Sequence, residues 1–392
     1  MTAGGPRPGD RRALVAVAVQ FFVNGAVFAS FIPRLPEIRD RVGITDATVG
    51  LFLTIAGGLG LVSSVFVGRL IDRFGSRRVL VTGAVVMVLV LPLVGIVTTP
   101  AALLVVLIAL SMLDVIVDVA MNLQGSWLSA RRHAPVMNRL HGLWSLGTVV
   151  GGLTSALLAA SGVSLQKQLV GVSILLLAAV LFVAAGVLAT DQHHSEQGVP
   201  VDGASRSRWR PLMPLALAGA FAVTVEMTSS DWAAFRFTDD FGSSAAIATL
   251  GYVAFTTGMT VGRFVGDAAL VRLGADRLLR LACAVTIAGI VAATVVPSRP
   301  FTLAGLLLAG LGTATFFPKL YDEAAHFPGR AGAALGALTA GSRTAALVAP
   351  VLTGVLIGTS LSVGAAIAIV ALPCTVGLYL VEARPTARQP TR

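Results

Sequence analysis

Apolar runs of about twenty residues recur along this chain, each closed by a short cluster of glycine, proline or charged residues. At 1.5 Å of rise per residue, such a run crosses roughly 30 Å of hydrocarbon as a helix. The pattern predicts six spans at 13–31, 49–67, 79–97, 101–121, 140–160 and 169–189. It predicts six more at 212–232, 245–261, 281–296, 301–317, 331–357 and 363–381. The class is an all-α integral membrane protein, twelve transmembrane helices in two pseudo-symmetric six-helix bundles. The long internal hydrophilic stretch, 191–210, carries His193, His194, Glu196, Asp202, Arg206, Arg208 and Arg210. It divides the chain into a first bundle (1–190), a cytoplasmic linker (191–210) and a second bundle (211–392). The first run lacks a small-residue cleavage site, so it is kept as a span and not removed as a signal peptide.

Composition agrees. Of 392 residues 55% are hydrophobic and 12% charged, and a mean hydropathy of +0.85 is far above that of a soluble surface. The net charge of +10 would suggest nucleic acid on a polar domain, but no such domain is predicted, and the partners expected are lipid and a small solute. A monomer is expected. Of the 29 Lys and Arg residues, placing both termini in the cytoplasm puts 22 on the cytoplasmic face and six outside: Arg34, Arg39, Arg41, Lys167, Arg236 and Arg299. Arg343 falls within a span. Basic residues are retained on the cytoplasmic side, so this asymmetry supports an even helix count in the inner or plasma membrane. Cys283 and Cys374 lie in apolar segments without CxxC or histidine companions and read as packing residues, and His193-His194 as solvated linker; no metal is expected.

After the second span comes Gly68-Arg69-Leu70-Ile71-Asp72-Arg73-Phe74-Gly75-Ser76-Arg77-Arg78, and after the eighth Gly262-Arg263-Phe264-Val265-Gly266-Asp267, each before a basic turn. Two related halves follow. The first segment resembles the loop signature between helices 2 and 3 of the major facilitator superfamily. In it Gly68 permits close helix approach, Gly75 turns the chain, and Asp72 can meet the positive N-terminus of a helix across the domain interface. Gly68, Arg69, Asp72, Arg73, Gly75 and Arg77 are thus the expected conformational latch. The competing reading is that the arginines, Arg77 and Arg78 above all, only set topology.

The resemblance covers essentially the whole chain. It implies alternating access, with the first, fourth, seventh and tenth helices lining a central cavity. Asp114, Asp118 and Asn122 share one face of the fourth span, and Glu226 lies in the seventh. A charged side chain at membrane depth costs about 2.5 kcal/mol or more, so such residues face a cavity or a partner. Asp114 and Glu226 are the leading proton carriers. Asp118 is balanced between that role and pairing with Arg69, Arg73 or Arg131, and Asp231 reads mainly as a cap near the outer end. Gln20, Asn24, Asn122, Trp144, Tyr252 and Arg343 are candidates for the substrate cavity. Gln20 and Asn24 serve equally well as interhelical hydrogen bonds, and Trp144, Trp232 and Tyr252 as interfacial anchors. For Arg343, a nearby carboxylate is the first expectation and an anionic ligand the second. The pairs Gly147/Gly151, Gly258/Gly262 and Gly332/Gly336 allow helix backbones to approach.

The run from Met121-Asn122 to Gly142-Leu143-Trp144-Ser145-Leu146-Gly147, with the acidic fourth span, is similar to the sugar-permease branch that includes fucose–proton symporters, although Asn24 stands where those carry an acid. The function expected is proton-coupled transport of a small, sugar-like polar solute, with no cofactor beyond the proton. The alternative is a proton-coupled drug or metabolite exporter, whose Gly-Pro-x-x-Gly-Gly pattern is matched by Gly147 to Gly152 without the proline. A membrane enzyme would need a nucleophile with its base, or metal ligands at one depth, and neither set is seen. A receptor on the same scaffold would not require the acids.

Overall fold

The computed structural model describes residues 8–132, 136–188, 210–327 and 330–382. These residues hold twelve helices long and apolar enough to cross a membrane, and no strand among them. In hydrocarbon every backbone N–H and C=O must bond within its own segment, which is why such runs become helices. We label them α1 (Pro8–Ala29), α2 (Asp46–Phe74), α3 (Ser76–Val90), α4 (Pro100–Arg131), α5 (Met137–Ala160) and α6 (Leu165–Gly186). The second set is α7 (Met213–Asp231), α8 (Ala245–Leu273), α9 (Ala275–Val295), α10 (Arg299–Thr313), α11 (Ala331–Ile357) and α12 (Val363–Glu382). All but Arg210 of the predicted linker lies outside the described residues.

Several helices run past the apolar limits the sequence suggests. Hydropathy falls at the first charges, but backbone hydrogen bonding does not depend on side-chain polarity and carries the helix on. Thus α2 carries Gly68 to Phe74 as its last turns and stops at Gly75, whose φ of +82° favours glycine. Likewise α8 runs to Leu273 and stops at Gly274, φ +75°. Proline shortens others. Pro92, unable to donate to the carbonyl of Val88, converts the end of the third span into a 3-10 turn, Leu91–Gly95. Pro318 likewise denies a donor to Ala314, and the tenth span is broken into α10 and a second helix, Phe316–Ala325.

The chain forms two compact units. The first comprises residues 1–194 with 242–253, and the second 195–241 with 254–392. Inside the first, α1 packs on α5 and α6, α2 on α4, and α3 on α4. Inside the second, α7 packs on α11 and α12, and α9 on α10. Outward residues such as Val65, Leu175, Phe264 and Val271 are exposed and apolar, as a lipid-facing surface requires.

Candidate functional site

Glycine brings α1 and α5 together. A Cβ on Gly25 would lie 2.1 Å from the carbonyl oxygen of Trp144, and one on Gly147 2.2 Å from that of Phe22. With α5 set so close behind it, α1 presents Asn24 to α4, where its Nδ2 donates to Asp114 Oδ1 at 3.0 Å. Asp114 lies near the middle of α4, half-buried, and forms no salt bridge with a described residue. One turn on, Asp118 Oδ1 accepts from Asn122 Nδ2 at 2.9 Å, so the predicted face of Asp114, Asp118 and Asn122 is a continuous polar row. Because α4 continues three more turns beyond Asp118, this acid is not at the helix end. Arg131, at that end, pairs instead with Asp10 at 3.0 Å.

Gln20, on the same face of α1 as Asn24, is fully buried, and neither its Oε1 nor its Nε2 has a hydrogen-bond partner; the same holds for Asn24 Oδ1. Trp144 is half-buried in α5. Tyr252 is buried and belongs to the first unit, its Cδ1 lying 3.2 Å from where a Cβ on Gly152 would be. Near the start of α5, the His141 ring meets Phe21 of α1 edge-on with centroids 5.2 Å apart.

In the second unit Glu226, half-buried in α7, lies 4.0 Å from Arg263 Nη2. In the sequence repeat, Gly262-Arg263 stands where Gly68-Arg69 does in the first half. The positive-φ glycines that end these two helices, Gly75 and Gly274, leave Arg69 less than two turns from its glycine and Arg263 about three turns from its own, well inside α8. Matching glycines followed by basic turns, and not the Gly-Arg dipeptides, would have exposed this. Asp231, at the end of α7, accepts from Ser230 Oγ at 2.9 Å, and Trp232 is buried against Phe235 with centroids 4.8 Å apart. Arg343 is exposed near the middle of α11 and forms no salt bridge with a described residue.

Of the latch residues, Gly68, Arg69, Asp72 and Arg73 are exposed on the last turns of α2, and Arg77 donates to the carbonyl of Ala184 at 2.8 Å. A Cβ on Gly151 would lie 2.9 Å from the carbonyl oxygen of Ala26 and one on Gly262 2.6 Å from that of Leu311, whereas nothing lies within 4 Å of a Cβ on Gly336. Among the described residues no group of three potential metal-binding side chains occurs.

A family model described as the Major Facilitator Superfamily matches residues 17–322. An uncharacterised MFS-type transporter of Yersinia pestis is 28% identical over 317 residues, 80% of each chain. The membrane protein MosC of Rhizobium meliloti is 28% identical over 327 residues, 81% of this chain and 77% of that one. Among solved structures, a mutant of the nucleoside transporter NupG superposes with a TM-score of 0.78 at 13% identity, covering 95% of this chain and all of the other; at that identity the likeness is one of fold.

Proposed function

The chain belongs to the major facilitator superfamily, and on that premise we propose a proton-coupled secondary transporter that moves a small polar organic solute across the inner or plasma membrane by alternating access. One observation carries the reading. Asp114 is a carboxylate midway along a spanning helix, and it is held by the neutral amide of Asn24 and not by a base. An ionised carboxylate at that depth costs about 2.5–3.5 kcal/mol. Protonation removes that cost, and release to water on the opposite side renews it, which is the cycle a coupling residue performs. Glu226, with Arg263 as its counter-charge, is the second carrier, and Asp118 shares the row with the first. The charge asymmetry of the loops supports both termini in the cytoplasm, and the latch is assigned to the exposed end of α2.

The solute is sought among sugars, because of the sugar-permease resemblance, and among nucleosides, because NupG is a nucleoside transporter. Proteoliposomes loaded with a pH-sensitive dye test the proposal against a panel of both. A proton flux that starts on adding one solute, and is lost in Asp114→Asn and Glu226→Gln proteins of unchanged melting temperature, is the expected outcome. Protons entering with the solute mean symport; protons leaving as it enters mean the exchange expected of a drug or metabolite exporter. Full proton-driven accumulation by both variants would exclude the assignment.

A further inference from the structure

Among the described residues three glutamines are enclosed in the first unit, and they differ in what holds them. Gln124, 0% exposed, donates to Ser76 Oγ at 2.8 Å and the carbonyl of Leu188 at 3.3 Å, and accepts from the Leu188 N–H at 3.1 Å. Gln168, 1% exposed, donates to the carbonyl of Ser30 at 2.6 Å and to Ser155 Oγ at 3.0 Å, and accepts from Arg34 Nη1 at 2.7 Å. Both behave as buried amides must, with donor and acceptor satisfied. Gln20, 0% exposed, has no hydrogen-bond partner on either polar atom, and Asn24, 5% exposed, has none on Oδ1. An unbonded buried amide works against folding. A chain that satisfies two such residues fully and leaves a third bare holds the third for a partner from outside.

The unmet atoms lie along the acids. Asn24 is fixed on Asp114 by its own hydrogen bond. The first and fourth spans run in opposite directions through the membrane. Going back one turn from Asn24 to Gln20 therefore advances about 6 Å toward the level of Asp118, four residues further along α4. Two carboxylates down one helix thus run level with two amides down the other, joined by the Asn24–Asp114 bond. Asp114 and Asp118, one helical turn apart on α4, put two carboxylates in the row.

We propose that this row recognises a protonated amine on the transported solute. Asp114 and the bare oxygens of Asn24 and Gln20 accept its N–H donors, while Gln20 Nε2 donates to a hydroxyl or carbonyl oxygen of the same molecule. A bare metal cation would use only the oxygens and leave Nε2 unmet, so the geometry points to a hydroxylated or carbonyl-bearing organic ammonium. This inference rests on the transport reading above and names its substrate class.

Thermal unfolding of the purified full-length protein tests it with probes matched except in charge: glucosamine, glucose and glucuronate, then ethanolamine against ethylene glycol. The amines at millimolar concentration should raise the midpoint by about 2 °C or more, and their uncharged or anionic counterparts should not. Gln20→Leu should unfold at or above the wild-type temperature without probe, because it removes an unbonded amide, and should lose the amine response. Asn24→Leu should lose it too. Equal shifts from glucose or glucuronate, a shift from sodium chloride alone, no shift from any amine, a retained response in Gln20→Leu, or a lowered unliganded midpoint in that variant would each overturn the proposal. In the liposome assay, amine binding without proton movement would fail the coupling reading and leave the site standing. Proton flux with an uncharged solute, in a protein that binds no amine, would do the reverse.

Discussion

Arg34 and Arg236 stand at matching places, just after the first helix of each unit, and both are buried. Arg34 bonds Glu37 and Gln168. Arg236 donates to Asp240 at 2.5 Å and to the carbonyls of Ala293 and Thr294, while Asp240 caps α12 by accepting from the N–H groups of Val363 and Gly364 at 3.1 and 2.9 Å. Removing one partner of a buried pair strands the other, at about 3–5 kcal/mol. Arg236→Gln is therefore expected to lower the melting temperature by several degrees, and a melt matching wild type would contradict the clamp. Arg343 should behave oppositely. With no salt bridge to a described residue, Arg343→Gln should leave the melting temperature unchanged and weaken solute binding, which titration of the solute identified in liposomes would measure. The individual acids Asp114, Asp118 and Glu226 were legible in the sequence because charge is rare in apolar runs. Their partners were less so. Asn24 against Asp114 and Arg263 against Glu226 depend on helix rotation and on contacts distant in the chain, which periodicity in a single segment does not encode.

At the scale of elements, glycine sets the distances. A Cβ on Gly258 would lie 1.9 Å from the carbonyl oxygen of Leu307, one on Gly310 2.0 Å from that of Phe255, and one on Gly341 1.8 Å from that of Ala216. Leucine at Gly25 or Gly258 must push a helix backbone aside. Either change is expected to cost about 3 kcal/mol or more, in the range of severe overpacking, and to reduce the yield of folded protein in size-exclusion chromatography; normal yield and melting would disprove the close approach. The number and order of spans could be read from hydropathy, since each needs about twenty apolar residues and little else. The ends could not. Arg69 and Asp72 lower the local hydropathy without ending α2, whereas Pro92 and Pro318 end regular helix inside apolar sequence, because hydrogen bonding and not polarity decides where a helix stops.

Across the whole molecule, the two units repeat one another's pairings, α1 on α5 with α7 on α11, and α3 on α4 with α9 on α10, which the paired basic turns had signalled. Function at this scale belongs to the proposed rocking cycle. Asp72→Asn, which removes the exposed carboxylate at the end of α2, is expected to slow transport severalfold and to change the labelling of cytoplasmic cysteine probes; an unaltered labelling pattern would argue against a latch. Each unit also secures one helix through a carboxylate near its end. Asp10, in the first turns of α1, holds Arg131 at the end of α4, and Glu382, closing α12, holds Lys319 beyond the break at Pro318. A fluorophore or affinity handle joined outside these two carboxylates would hang from a bolted helix, leaving the bundle undisturbed. Trimming the chain far enough to delete either acid would instead leave half-buried Arg131 without its counterion, or Lys319 with Glu323 alone, so any truncation for spectroscopy should stop before Asp10 and after Glu382.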